Sequence, residues 1–184
     1  VWDRAPIAYW DHLLNDREPH LFSIDLEGGE PLAITRLSGF YLSKQDYDSS
    51  SYDISPDGVE IAFASDTHRT GTMPNEDIIT IASCGCKPPR NITDTNKGDD
   101  TSPSYSPDGS YLAYGAKQIP GFYADRTRLM LFDRGSQTRR ELFGEWDRSA
   151  SNMVWASNSR TLYGAIDDAA TQRICQKFDG QATT

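Results

Sequence analysis

No apolar run in this 184-residue sequence is longer than a handful of residues, so nothing in it is long enough to cross a bilayer as a helix, and no membrane partner is expected. Basic side chains are outnumbered, 18 Lys and Arg against 27 Asp and Glu. The net charge of −9 argues against nucleic acid or an anionic surface as the main partner. Arg139-Arg140 is the only adjacent pair of Arg or Lys, and a solvated strand end accounts for it. Cysteine is scarce: Cys84, Cys86 and Cys175 are too few for a disulfide framework. Cys84 and Cys86, two positions apart, lie too close for ordinary bridging geometry, and no His cluster accompanies them as zinc would require. Free thiols are the expectation there, with no metal and no cofactor. Val1-Trp2-Asp3-Arg4 carries no signal-peptide pattern, but it starts without Met and in mid-pattern, which is compatible with a leader already removed. The compartment, cytoplasmic or periplasmic and secreted, stays open.

Helical periodicity is missing as well. Hydrophobic residues make up 37% of the chain while aromatics reach 11%, a balance that suits many short, half-buried strands better than a helical bundle. What is present is a repeated stretch. Tyr105-Ser106-Pro107-Asp108-Gly109-Ser110-Tyr111-Leu112-Ala113-Tyr114 has a near-copy in Ile54-Ser55-Pro56-Asp57-Gly58-Val59-Glu60-Ile61-Ala62-Phe63. A weaker copy is Trp155-Ala156-Ser157-Asn158-Ser159-Arg160-Thr161-Leu162-Tyr163-Gly164. The equivalent residues Ile54, Tyr105 and Trp155 are 51 and then 50 positions apart, the period of a propeller blade rather than of a helical solenoid.

Each copy reads as a tight hairpin. Pro presets φ near −65°, Asp accepts backbone hydrogen bonds, and Gly takes the positive φ that returns the strand. Asp57 and Asp108 are therefore turn formers before they are acids. In the third copy Ser157 and Ser159 replace Pro and Gly, so a looser turn, or one of another type, is expected there.

Further hairpins lie outside each turn. His20 to Leu26 alternates and runs through Glu27-Gly28-Gly29-Glu30-Pro31 to Leu32-Ala33-Ile34-Thr35. Asp77 to Ser83 leads to Arg90-Asn91-Ile92-Thr93, Leu129 to Asp133 leads to Arg140 to Phe143, and Arg173 to Phe178 reaches Asp179-Gly180-Gln181. The fold class is thus all-β, a β-propeller of four-stranded antiparallel blades, with aromatics of the innermost strands (Tyr52, Tyr105, Trp155) packed between blades. Residues 7–44 and 152–184 give partial blades, and 51–94 and 102–144 complete ones. Three to four blades do not close a ring, so an incomplete propeller is expected, its open edge strands favouring self-association.

The pattern Ser-Pro-Asp-Gly-x-x-Ile/Leu-Ala-Phe/Tyr resembles TolB-type (PD40) propeller repeats, with His20 to Pro31 and Asn91-Ile92-Thr93-Asp94 as its outer-strand partners. Gly98-Asp99-Asp100-Thr101-Ser102-Pro103-Ser104-Tyr105-Ser106-Pro107-Asp108-Gly109 is similar to the propeller of prolyl-oligopeptidase (S9) serine peptidases, nearest the dipeptidyl-aminopeptidase and acylaminoacyl-peptidase branch. Two features depart from it: Cys84-Gly85-Cys86 stands where the repeats have Gly-Gly, and the third copy lacks Pro and Gly.

The resemblance implies a parent enzyme in which the propeller caps a C-terminal α/β-hydrolase domain and admits short peptides. The Gly-x-Ser-x-Gly elbow of that domain is absent here, and His12, His20 and His68 all precede any place where it could begin. No catalytic residue carries over, and the chain alone is expected to be inactive. The alternative is a TolB-like protein-interaction scaffold without enzymatic activity. A propeller lyase or glycosidase is disfavoured, because spacing locates no carboxylate pair.

Two connections are longer than hairpins need, 68–77 and 118–126. In the peptidase reading Glu76 and Asp77 are candidate anchors for a peptide amino group. Asp94 to Asp100 looks like a calcium loop, but Gly98 is misplaced and Tyr105 stands where its last carboxylate is needed, so these residues are assigned to the inter-blade turn. Asn91-Ile92-Thr93 fits the glycosylation sequon, which matters only in a secreted eukaryotic protein.

Overall fold

A computed structural model describes residues 18–43, 47–68, 75–168 and 171–178, with the strand pair at 8–9 and 12–13; of the side chains at 8, 9, 12, 13, 167, 168, 172 and 175–178 nothing is described. All strand pairings are antiparallel, and no helix occurs among the described residues. β1 (Ala8–Tyr9) pairs with β2 (His12–Leu13), and β3 (Phe22–Ser23) with β4 (Leu32–Ala33). A four-stranded meander follows, β5 (Tyr52–Ile54), β6 (Glu60–Asp66), β7 (Glu76–Ala82) and β8 (Arg90–Asn91). The next repeats it as β9 (Asp100–Tyr105), β10 (Tyr111–Ala116), β11 (Arg128–Asp133) and β12 (Thr138–Leu142). The last has β13 (Ala150–Trp155), β14 (Thr161–Asp168) and β15 (Thr171–Phe178). The sheets follow one another without closing a ring. Asp179 to Thr184, and residues 69–74 of the first long connection, lie outside the described residues.

The turns form as their residues dictate. In the first two copies the Gly N–H closes on the Ser carbonyl, at 2.7 Å for Gly58 to Ser55 and 2.8 Å for Gly109 to Ser106. The glycines take φ of 71° and 70°, as the turn requires. Each Ser hydroxyl donates to the turn carboxylate, at 2.6 Å to Asp57 and 2.7 Å to Asp108. Each carboxylate also accepts a backbone N–H, from Val59 at 3.1 Å and Ser110 at 3.0 Å. These bonds hold both carboxyls below their ordinary range: the Ser55 hydroxyl is the main cause at Asp57 and the Ser110 N–H at Asp108.

The third turn corrects the expectation from its sequence. Ser159 N–H bonds the Ala156 carbonyl at 3.1 Å, and Ala156 N–H bonds Thr161 at 2.8 Å, the same pattern as in the first two copies. Ser159 itself takes φ of 56°, while Asn158 Oδ1 accepts from Arg160 and Thr161 at 2.9 and 3.0 Å. A reason for Ser rather than Gly lies across the seam, where the Ser159 hydroxyl accepts the Asp108 N–H at 2.8 Å.

A second correction concerns the cysteines. Cys84 and Cys86 are joined in a disulfide, not free. Chain reversal at Gly85, with φ of 61° and its N–H bonded to the Ala82 carbonyl at 2.8 Å, brings the two Cα atoms to 5.1 Å, within bridging range. Gly85 is further constrained because a Cβ there would lie 3.3 Å from the Ile34 carbonyl oxygen.

Apolar clusters weld the sheets together. Ala62, Ala64, Ile78 and Ile92 pack with Tyr105, Leu112, Tyr114, Ala116 and Phe132 between the two four-stranded sheets. Ala113, Leu129, Leu131 and Leu142 meet Leu162, with Met153 and Trp155 partly buried against them. A further cluster sets Leu21, Ile34 and Leu42 on Ile61, Phe63, Ile79 and Ile81. Tyr105 and Trp155 thus occupy seams as expected. Tyr52 does not: it is 43% exposed, because the chain before β5 contributes only two-residue strand pairs among the described residues, with no full sheet to cover it.

Candidate functional site at the loop end of the sheets

The register of β6 with β7 pairs Glu60 with Ala82 at one end and Asp66 with Glu76 at the other. The Ser-Pro-Asp-Gly turns therefore sit at one end of the sheets, and Glu76, Asp77 and the long connections at the opposite one.

Asp77 is buried at the start of β7 and serves as an internal acceptor. The Thr67 hydroxyl and the Asn91 amide each donate to its Oδ2 at 2.7 Å, and the Asn75 amide to its Oδ1 at 3.1 Å. These donors come from the residue just past β6, from β8 and from the lead-in to β7, so Asp77 fixes the rim. Glu76 is half-buried, and its N–H donates to the Asp99 carboxylate of the next repeat at 3.3 Å. The structure places the two candidate anchors side by side in sequence but in different surroundings.

Asp100, which opens β9, is a residue that sequence reasoning assigned only to a turn. It is 1% exposed; Asn96 donates to its Oδ1 at 3.0 Å, while its Oδ2 is buried without a hydrogen-bond partner. Burial, with the charge of Asp77 adding to it, pushes its carboxyl up to about 7. Asn96 also bonds the Lys117 and Gly98 carbonyls at 2.7 and 3.1 Å. Gly98 is obligatory, since a Cβ there would stand 2.4 Å from the Lys117 carbonyl oxygen.

The second long connection is a built loop. The Asp125 carboxylate accepts the N–H groups of Gln118 and Ile119 at 2.7 and 3.0 Å and pairs with Arg128 at 3.1 Å. Burial opposes ionisation of Asp125, but these donors outweigh it and hold the carboxyl at about 2. Lys117 bonds the Tyr123 carbonyl at 3.2 Å and lies 5.1 Å over its ring. The loop so fixed presents Ile119, Phe122 and Tyr123 to solvent, and Arg126 at its end holds the carbonyl of Trp146, whose ring stacks on Phe143 at 4.4 Å.

At the turn end, a cavity of about 880 Å³ lies between the two four-stranded sheets, lined in part by Glu60, Lys87, Arg90, Tyr111, Asp133 and Arg134. Beside it the Tyr105 hydroxyl donates to Glu60 at 2.7 Å, and Arg134 pairs with Glu60 at 2.9 Å while lying 5.1 Å from the Tyr105 ring. Burial, then the Glu60 charge, raises the phenol well above its ordinary value. Among the described residues no group of three or more His, Cys, Asp or Glu is arranged to hold a metal, and no helix is long and apolar enough to cross a membrane. His20 Nδ1 lies 3.0 Å from the Thr35 hydroxyl, itself the acceptor of the Leu21 N–H, and His68 is an exposed rim residue.

No family model matches the chain. It is similar to a probable dipeptidyl-peptidase 5 of Aspergillus flavus, 28% identical over 205 aligned positions covering 95% of this chain and 27% of the relative. A dipeptidyl-peptidase 5 of Aspergillus fumigatus is 27% identical over the same shares, and one of Arthroderma otae is 29% identical over 68% of this chain and 19% of the relative. The chain thus spans about a fifth to a quarter of the length of the curated relatives it matches. Among solved structures, TolB from Acinetobacter baumannii superposes with a TM-score of 0.62 at 14% identity, covering 88% of this chain and 35% of that one. The tricorn protease gives 0.55 at 13% identity, covering 83% and 14%. The fold is an open β-propeller like those of TolB and the tricorn protease, and the relatives named above are dipeptidyl-peptidases 5.

Proposed function

We propose that this chain is the non-catalytic propeller part of a serine exopeptidase, of dipeptidyl or acylaminoacyl type, and that it limits which peptides reach a C-terminal α/β-hydrolase domain. One observation carries the reading: similarity runs along 95% of this chain yet takes in only 27% of a dipeptidyl-peptidase 5. Short peptides are the ligand class. Asp77 spends its acceptors inside the sheet, so in this reading Glu76 faces the peptide amino group on a rim that Asp77 holds in shape. The blades are those bounded at 7–44, 51–94, 102–144 and 152–184, and β15, the last strand of its sheet, offers an edge for pairing with a second copy.

The test is to follow the reading frame and assay both lengths. The chain alone should leave dipeptidyl and acyl-amino-acid chromogenic substrates uncut, and a longer product carrying a Gly-x-Ser-x-Gly elbow should cleave them. Glu76→Gln in that longer product should raise KM for peptides with a free amino terminus several-fold and leave kcat close to wild type. Hydrolysis by the chain alone would overturn the proposal. The superposition on TolB supports a second reading, a protein-interaction scaffold, and a reading frame that ends after the propeller would favour it.

A further inference from the structure

The Cys84–Cys86 bridge closes a three-residue ring at an exposed hairpin tip. A bridge stabilises chiefly by restricting the unfolded chain, and the restriction grows with loop length, so a ring this small contributes little to the fold. The hairpin is held by other bonds. β7 pairs with β6 from Glu60 to Asp66, Ser83 N–H bonds the Val59 carbonyl at 3.0 Å, and Gly85 N–H bonds Ala82 at 2.8 Å. Nothing in the fold therefore requires the S–S bond to stay closed.

The surroundings are also suited to opening it. The N–H of Cys86 points at Cys84 Sγ, 3.4 Å away, and would stabilise that sulfur as a departing thiolate. Lys87 follows Cys86 directly and lines the 880 Å³ cavity between the sheets with Arg90 and Arg134 against Glu60 and Asp133, so the balance of charge there is positive and an acidic thiol is drawn toward the Cys86 side of the bridge. Both cysteines are solvent-exposed, as attack requires.

We propose that Cys84-Gly85-Cys86 is a reversible thiol–disulfide exchange site for low-molecular-weight acidic thiols of the glutathione class. The incoming thiolate bonds Cys86 Sγ, the S–S bond breaks, and Cys84 Sγ leaves as a thiolate under the Cys86 N–H. A second thiolate then attacks the sulfur of the thiol carried on Cys86, releasing the oxidised small disulfide and the Cys86 thiolate. The protein gains two electrons and, on protonation, two thiols, and two small thiols are oxidised to one disulfide. The proposal is independent of the peptidase reading.

The chain is equilibrated with graded ratios of reduced and oxidised glutathione, quenched with an alkylating reagent and mapped by mass spectrometry at peptide level, which separates this pair from Cys175. The pair should pass from bridged to dithiol within that series while the melting temperature stays within a few degrees. In Cys84→Ser, one glutathione should accumulate on Cys86. Lys87→Glu should slow reduction by glutathione several-fold and reduction by uncharged 2-mercaptoethanol much less. A pair that stays bridged at the most reducing ratio until denaturant is added overturns the proposal, and so does reduction that unfolds the sheet. In wild type quenched early in reduction, a first glutathione adduct found on Cys84 rather than on Cys86 overturns the assigned order of attack.

Discussion

The two seams between the three large sheets are made from the same repeat and held differently. Between the four-stranded sheets, four buried apolar residues of one face five of the other, and at the turn end Tyr105, Glu60 and Arg134 lock the joint with a buried phenol and a partly exposed ion pair. At the next seam, Leu162 is, among the described residues, the buried apolar side chain of the third sheet in the cluster, and the polar ties include Trp155 Nε1–H to the Ser104 carbonyl at 3.1 Å, Asp108 N–H to Ser159 and Thr127 N–H to the Ser149 hydroxyl at 3.0 Å. A blade repeat thus fixes the sheets, while the strength of each joint depends on side chains the repeat leaves free.

Truncation should expose that difference first. Tyr114→Ala empties the centre of the first seam, where the ring is 2% exposed, and should cost about 3–5 kcal/mol by the usual penalty for deleting a buried aromatic. Leu162→Ala at the second seam should cost nearer 2 kcal/mol, because that sheet has more room to relax. Denaturant melts of the two variants check the order. Equal losses would mean that the seams are equally tight.

Acidity separates the seams more finely, because Asp100 lies on the first and has no counterpart on the second, where Ala150 takes the equivalent place in β13. Its carboxyl titrates at about 7 in the fold against 3.8 for the ordinary value. Between those values the folded state holds a proton that the unfolded state has released. Stability from this group therefore falls as pH rises through the window and is not recovered above it. The loss from pH 5 to pH 8 is on the order of 2 kcal/mol. Asp100→Asn mimics the protonated form, so its advantage over wild type should be largest at pH 8, shrink by about that amount on going to pH 5, and disappear only as the pH falls below the ordinary carboxylate value. Parallel pH–stability curves for the two proteins would show that Asp100 is not the titrating group.

The strands and turns were legible because their rules are local: alternation and Pro-Asp-Gly chemistry act within ten residues. Legibility failed where a residue answers to a distant neighbour. Tyr52 lies two residues before Ile54, the counterpart of Tyr105 in the register, and the burial of either depends on a preceding sheet. Asp77 reads as a rim acid, but Thr67, Asn75 and Asn91 converge on it only once β6, β7 and β8 are paired. The bridge across Gly85 was missed because bridging range was judged from spacing, and the reversal at a positive φ shortens it. For Asp100 a signal did exist, an acidic residue just before an apolar-alternating strand. Its missing partner is a property of packing alone.

The smallest effect should come at Ser159, where turn and seam make opposite demands. A positive φ costs a non-glycine residue about 1 kcal/mol, which glycine would recover. The hydroxyl, though, accepts the Asp108 N–H across the joint, a bond contributing about 0.5–1.5 kcal/mol. Ser159→Gly relieves one and loses the other, so its net change should lie within about 0.5 kcal/mol of zero, while Ser159→Ala keeps the strain, loses the bond and should fall by about 1 kcal/mol. If both variants matched wild type, the second seam would owe nothing to this bond. If Ser159→Gly alone were clearly destabilised, the bond would outweigh the strain, and the departure of the third copy from Pro-Asp-Gly would be a device for fastening the weaker joint.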